Sequence, residues 1–152
     1  MEPSVVLNNG LCTAGAVMAL GLSAVGSAIG TGAAGSAAIG AWKKCYAQGR
    51  PAANLLPFVG AALTQTLYGM ILMFAIKGKA GVEGASGLAL CLIGIFAGLG
   101  IGASAILQGR TAGAAADAYA ETGKGFTNYF AALGVIETVA IFVMVFAFLA
   151  IG

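Results

Sequence analysis

The sequence has very little charge. Of its 152 residues, seven are Lys or Arg, five are Asp or Glu, and none is His. Charged residues make up 8% of the chain and apolar residues 60%, whereas soluble domains average about 25% and about 45–50%. The chain therefore lacks the polar surface that covers a water-soluble globule, which indicates a membrane protein. The net charge of +2 and the lack of a basic stripe argue against a nucleic-acid partner.

Cysteine is also scarce. The chain has three cysteines, Cys12, Cys45 and Cys91, which is an odd number, and they form no C-x-x-C motif. The sequence therefore supports neither a disulfide framework nor a zinc site. We expect three free thiols packed as small apolar side chains.

Long charge-free runs predict four membrane-spanning helices. A helix needs about 20 apolar residues to cross about 30 Å of hydrocarbon. The first and third runs are longer than that, so these helices are expected to protrude or tilt. The first run is also too long for a cleaved signal peptide and lacks a basic segment before it. The predicted spans lie near residues 10–42, 52–76, 84–116 and 125–151.

The connections between spans predict the orientation of the chain. They are expected at Lys43–Pro51, Lys77–Glu83 and Asp117–Lys124. An even number of spans places both termini on one side and the 1–2 and 3–4 loops on the other. The loop side has more basic residues, so the positive-inside rule places those two loops in the cytoplasm of a multi-pass cell-membrane protein. These basic residues are Lys43, Lys44, Arg50, Arg110 and Lys124.

The chain repeats itself. The segment that begins at Ser27 matches the one that begins at Ser104, and spans 2 and 4 align at an offset of 72 residues. We interpret the chain as a duplicated helical hairpin, with the first copy over 1–80 and the second over 81–152. Glu137 of the second hairpin aligns with Gln65 of the first, so the first hairpin has lost its carboxylate.

Spans 1 and 3 are slim. Gly26 and Gly30 in span 1 recur at a spacing of four residues, as do glycines in 94–102 of span 3. Small residues at this spacing let helix backbones approach closely, whereas spans 2 and 4 carry bulkier side chains. Two arrangements fit this pattern: a ring with the slim helices on its inner wall, and a compact four-helix bundle.

Glu137 lies near the middle of span 4. An ionisable group at that depth is costly and by default indicates a functional site, although a protonated structural carboxyl is the simpler alternative. Counted from the cytoplasmic loops, Thr64, Gln65 and Gln108 lie within one or two helical turns of its depth. Tyr68 shares a face of span 2 with Thr64. The sequence therefore predicts that spans 2, 3 and 4 direct these side chains towards one point.

Hydroxyl, amide and carboxylate oxygens are ligands for a hard cation rather than a soft metal. A proton site needs only the carboxyl in apolar surroundings, and two further glutamines are expensive to bury for that purpose. This favours Na⁺ over H⁺ as the bound ion, with H⁺ as the alternative. Tyr68 is expected to donate its hydroxyl to the Glu137 carboxylate.

Three motifs carry a resemblance to a known family. They are Thr64-Gln65-x-x-Tyr68-Gly69, Gln108-Gly109 and Gly134-Val135-Ile136-Glu137-Thr138. With the duplicated hairpin, they make the chain resemble the membrane rotor (proteolipid c or K) subunit of V-type rotary ATPases, most like the bacterial sodium-translocating form. The resemblance implies a ring of identical subunits in the lipid bilayer, with helices 1 and 3 inside and helices 2 and 4 outside.

The resemblance also implies partners and a ligand set. A stator membrane subunit would supply an arginine, a central-stalk subunit would sit on the cytoplasmic loops, and ATP would be hydrolysed elsewhere in the complex. The chain has no phosphate-binding G-x-x-x-x-G-K-[ST] loop, so it is not expected to be an enzyme by itself. The implied ion ligands are Thr64, Gln65, Gln108, Glu137 and the backbone carbonyl of Ala61, with Tyr68 bonded to the glutamate. At position 61 the family usually has a bulkier aliphatic residue, so packing beside the ion is expected to be looser.

Two further readings belong to other classes of protein. A small proton-coupled drug exporter would need its carboxylate in span 1, which has none there. A structural channel or scaffold would leave the side chains around Glu137 unexplained.

Overall fold

The fold is entirely helical. The computed structural model describes residues 2–152, apart from the side chain at position 53. Four helices in this part of the chain are long and apolar enough to cross a membrane, and no strand occurs among the described residues. The prediction of an all-α, multi-pass membrane protein is therefore confirmed. The helices are α1 (Pro3–Ala47), α2 (Leu56–Lys77), α3 (Gly87–Thr122) and α4 (Phe126–Ile151).

Helices α1 and α3 extend well beyond the thickness of a bilayer. Their 45 and 36 residues correspond to about 68 and 54 Å at about 1.5 Å per residue, so the prediction of two overlong spans is confirmed. The predicted connections Lys43–Pro51 and Asp117–Lys124 are wrong at their starts, because α1 continues to Ala47 and α3 to Thr122. The charges there mark where the apolar run ends, not where the helix ends.

An ion pair links the two helices beyond the apolar region. Lys44 Nζ of α1 lies 3.0 Å from a carboxylate oxygen of Asp117 and 3.7 Å from one of Glu121, both on α3. Arg50, which follows α1, donates to the carbonyl oxygens of Ala120 (2.5 Å) and Glu121 (3.3 Å) at the end of α3. Charged side chains therefore hold the two helix ends together outside the apolar region.

Helices α1 and α3 pack backbone to backbone. A Cβ atom built on Gly26 of α1 would overlap the backbone of Gly102, and one built on Gly109 of α3 would overlap the backbone of Gly30. A Cβ on Gly15 would lie 2.5 Å from the Cα of Cys91. The small residues of spans 1 and 3 thus form one continuous contact, which we call the glycine seam.

Helices α2 and α4 lie against this slim pair. Gly69 of α2 packs on Ser23 of α1, and Gly100 of α3 packs on Val143 of α4. Of the described residues of α4, three are buried, and they are spaced seven apart at Leu133, Ala140 and Ala147. Another face of α4 presents large apolar side chains outward, as expected for a helix that faces lipid or another chain.

Aromatic rings close the end of the molecule that carries the ion pair. Phe58 of α2 is fully buried, and its ring centroid lies 5.0 Å from that of Phe130 of α4. These two phenylalanines occupy equivalent positions in the predicted repeat. The connection between α2 and α3, residues 78–86, contains the predicted boundary at 80/81; the duplication itself stays a prediction.

The opposite end is held by a cap. Asn8 of α1 accepts a hydrogen bond from the Gly87 backbone N–H (2.6 Å) and donates one to the Ala85 carbonyl oxygen (2.9 Å). Gly87 is the first residue of α3, whose first N–H groups have no partner within the helix. This side chain fixes the start of α3 against α1. The cysteines Cys12 and Cys45 are buried free thiols, and Cys91 is partly buried.

Candidate functional site

The regular turn of α2 is interrupted beside the predicted site. A 3₁₀ turn, Ala61–Leu63, separates the helical segments Leu56–Gly60 and Thr64–Lys77. Short 3₁₀ stretches inside a helix often mark functional positions, because their backbone hydrogen bonds are rearranged. Ala61 opens this turn, and Thr64 and Gln65 follow it directly. The role of the Ala61 carbonyl as an ion ligand stays a prediction.

The Glu137 carboxylate accepts hydrogen bonds at both oxygens. Its Oε1 accepts from Thr64 Oγ1 at 2.6 Å and from the Tyr68 hydroxyl at 2.7 Å. Its Oε2 accepts from Gln108 Nε2 at 3.3 Å. The donors stand on α2 and α3 and the acceptor on α4, so three helices meet at one carboxyl group.

The two glutamines link the site internally. Gln65 Nε2 donates to Gln108 Oε1 at 2.5 Å, and Thr64 Oγ1 lies 3.2 Å from Gln65 Oε1. Gln65 is 0% exposed and Gln108 1% exposed. Amides buried this deeply require hydrogen-bond partners, and here each glutamine has the other. The structure thus brings all five predicted side chains into one hydrogen-bonded group, which we call the Glu137 network: Thr64, Gln65, Tyr68, Gln108 and Glu137.

The composition of the Glu137 network limits what it can hold. It offers hydroxyl and amide oxygens around a single carboxylate, which suits a hard cation. Among the described residues, no cluster of three or more His, Cys, Asp or Glu side chains forms a transition-metal site. One carboxylate neutralises one positive charge, so the chemistry fits a monovalent cation.

Sequence reasoning missed one side chain at this site. Ser104 of α3 donates its hydroxyl to the backbone carbonyl oxygen of Ile136, the residue before Glu137, at 2.9 Å. Apart from its place in the repeat, Ser104 lies one helical turn before Gln108, and residues four apart share a helix face. Gln108 makes a similar contact, from Nε2 to the Leu133 carbonyl oxygen at 3.1 Å.

Comparison with known protein families gives a match within the second hairpin. Residues 91–150 match the family model of the ATP synthase C subunit. This stretch contains most of α3 and nearly all of α4, including Gln108 and Glu137. No curated protein matches the chain. The second hairpin is therefore similar to the ATP synthase C subunit, a non-catalytic, ion-translocating rotor protein that forms rings in the membrane.

Proposed function

We propose that the chain is the rotor-ring subunit of a V-type ATPase and carries Na⁺ at the Glu137 network during ATP-driven rotation. One observation carries this proposal: α2, α3 and α4 direct three oxygen-bearing donors and one carboxylate to a single point. The similarity of residues 91–150 to the ATP synthase C subunit supports the rotor role. Identical copies would form the ring, with α1 and α3 on its inner wall and α2 and α4 outside.

The charge of the site explains how an ion could be moved past lipid. With Na⁺ bound, the Glu137 carboxylate is neutralised, and the oxygens of Thr64, Gln65 and Gln108 replace water around the ion. Without the ion, the bare carboxylate is costly in hydrocarbon and is stabilised only near an opposite charge. An arginine of a stator membrane subunit would provide that charge where ions enter and leave.

The number of ion sites per chain bears on whether the complex acts as an ATP-driven pump. The 1–2 and 3–4 loops would lie in the cytoplasm beneath a central-stalk subunit. Since Gln65 replaces the first hairpin's carboxylate, each chain of four helices carries one ion. Each charge moved against the membrane potential requires about 2.3 kcal/mol per 100 mV, so fewer ions per turn allow pumping against a steeper gradient. This favours an ATP-driven pump.

The buried amides favour Na⁺ over H⁺. A proton carrier needs only the carboxyl and one or two hydrogen-bond partners, which Thr64 and Tyr68 supply. Gln65 and Gln108 are fully buried beside it and add two amide oxygens, which suit a hard cation and which a proton carrier does not require. A proton-translocating rotor of the same architecture is the second candidate.

Carbodiimide labelling tests the bound ion, because the reagent attacks protonated carboxyl groups. We expect Na⁺ to protect Glu137 of the purified ring from labelling, and K⁺ at the same concentration to leave labelling unchanged. Labelling that varies with pH but ignores Na⁺ would establish the proton carrier instead. Absence of labelling at every pH, with or without Na⁺, would contradict the ion-carrier proposal in both forms.

Replacing Gln65 with Leu further distinguishes the Na⁺ proposal from the H⁺ alternative. The substitution keeps the volume and removes one amide oxygen, so the Na⁺ concentration that half-protects Glu137 is expected to rise about tenfold, equivalent to about 1.4 kcal/mol. Thr66→Val, at the next position of α2 and outside the Glu137 network, serves as the control and should leave protection unchanged. Equal protection in the Gln65→Leu and wild-type rings would show that Gln65 is a packing residue.

A further inference from the structure

Helix α4 has few fully buried residues. Its three buried residues, Leu133, Ala140 and Ala147, form a narrow stripe, and two of them are alanines. By contrast, 16 residues of α3 are buried. Partly buried side chains of α4, such as Phe130 and Val143, also pack against the other helices. Glu137 must keep one rotation to meet Thr64 and Tyr68 on α2.

Two hydrogen bonds from α3 act on the backbone of α4 next to Glu137. Ser104 donates to the Ile136 carbonyl oxygen at 2.9 Å, and Gln108 donates to the Leu133 carbonyl oxygen at 3.1 Å. Two donors one turn apart on α3 thus form hydrogen bonds with two carbonyl oxygens one turn apart on α4. The Ile136 carbonyl belongs to the peptide bond that leads directly into Glu137, so the Ser104 contact restrains the backbone at the carboxylate itself.

The first hairpin provides an internal comparison. Ser27 of α1 is the repeat equivalent of Ser104, and both serines are buried, at 2% and 3% exposure. The Ser27 hydroxyl has no hydrogen-bond partner within the described residues. The hairpin that lacks the carboxylate therefore also lacks the serine contact between its helices, whereas the hairpin with Glu137 has it.

We propose that Ser104 is a positioning residue for Glu137. Its hydrogen bond to the Ile136 carbonyl sets the rotation of α4 and so holds the carboxylate against Thr64 and Tyr68. The proposal deepens the ion-carrier function and rests on it for the consequence that ion affinity depends on Ser104. The positioning of the carboxylate by Ser104 does not depend on which ion the carboxylate carries.

The test compares Ser104→Ala with Ser27→Ala in purified rings. Each variant removes one buried hydroxyl at equivalent positions of the two hairpins. We expect Ser104→Ala to raise the half-protecting Na⁺ concentration roughly three- to tenfold, as the loss of one hydrogen bond predicts. Ser27→Ala is expected to stay within about twofold of wild type, since its hydroxyl has no bond to lose. Equal effects of the two alanines would overturn the proposal, as would failure of only the Ser104→Ala ring to assemble.

A double-mutant cycle with Tyr68→Phe separates positioning from general packing. If Ser104 acts by holding Glu137 against Tyr68, removing the tyrosine hydroxyl has a smaller effect in Ser104→Ala than in wild type, because contacting groups are not additive. Ser27→Ala and Tyr68→Phe should be additive. Additivity of both pairs would overturn the proposal.

The same double-mutant cycle is also measured through the rate at which carbodiimide labels Glu137 in the absence of Na⁺. At a fixed pH, that rate reports the protonation and placement of the carboxyl group, and it is measured without any Na⁺. If Na⁺ fails to protect the wild-type ring, the sodium function fails, while coupling between Ser104 and Tyr68 in the labelling rates still supports the positioning role. Protection by Na⁺ without such coupling would leave the sodium function standing and reject Ser104.

Discussion

Replacing Glu137 with Gln is expected to abolish ion transport and leave the ring assembled. Glutamine has nearly the same shape, and its amide oxygen can still accept hydrogen bonds from Thr64 and Tyr68. It has no charge, however, to balance a cation at a depth where an unpaired charge is costly by several kcal/mol. Since about 1.4 kcal/mol is a factor of ten in affinity, we expect ATP-driven Na⁺ uptake into proteoliposomes to fall at least about 100-fold.

The matched control for this variant is Glu83→Gln. Glu83 lies in the exposed connection between α2 and α3, so the same chemical change should leave uptake at the wild-type rate. Ring assembly of both variants is checked by native electrophoresis. Uptake by the Glu137→Gln complex at a rate comparable to wild type would show that Glu137 is not the carrier.

Replacing Gly109 with Ala is expected to destabilise the protein, although alanine is the better helix former. In a helix interior alanine is favoured over glycine by about 1 kcal/mol. The added Cβ would overlap the backbone of Gly30 across the glycine seam, and α1 and α3 would have to move apart along their length. Overpacking of this kind costs about 1–3 kcal/mol, and here an entire helix–helix contact is affected. We expect the thermal unfolding midpoint, followed by circular dichroism, to fall by about 5 °C or more.

Gly40→Ala is the control for the glycine seam. Beyond the adjacent backbone of its own helix, no described atom lies within 4 Å of a Cβ built on Gly40, so that variant gains helix propensity without a clash inside the chain. It should unfold at or above the wild-type temperature. A Gly109→Ala protein as stable as the Gly40→Ala protein would mean that α1 and α3 are farther apart than the structure places them.

The four helices could be predicted from the sequence because each apolar run is long and bounded by charge. Their ends could not, because Lys44 and Asp117 appear in the sequence as loop charges. In the structure they pair across two helices that continue beyond the apolar region. Pairing between segments 73 residues apart leaves no local pattern. The close approach of Gly109 to Gly30 is indicated by small residues at four-residue spacing. Which glycines meet depends on how α1 and α3 are aligned along their length.

The side chains of the Glu137 network could also be predicted, because polar groups in apolar helices are few and depth can be counted from the loops. The hydrogen bonds within the network were harder to predict. The Gln65–Gln108 contact depends on the relative rotation of α2 and α3, which residue counting does not give. In the sequence Ser104 stands out only by its place in the repeat and its spacing from Gln108. A serine within a helix can equally bond its own backbone, as Ser23 does with Ala19, so its contact with α4 had no distinguishing pattern. The sodium ion, the V-type assignment and the loop orientation stay predictions.

The Glu137 network is complete within one chain. Both carboxylate oxygens are bonded by side chains of the same polypeptide, Thr64 and Tyr68 from α2 and Gln108 from α3. In a ring built from this chain, the number of sites would equal the number of chains, and no neighbour would need to lend a residue. A ring that incorporates one defective copy would therefore lose one site and keep the others unchanged. When mutant chains are mixed with wild-type chains during assembly, the number of intact sites in a ring would fall by one for each mutant chain it contains.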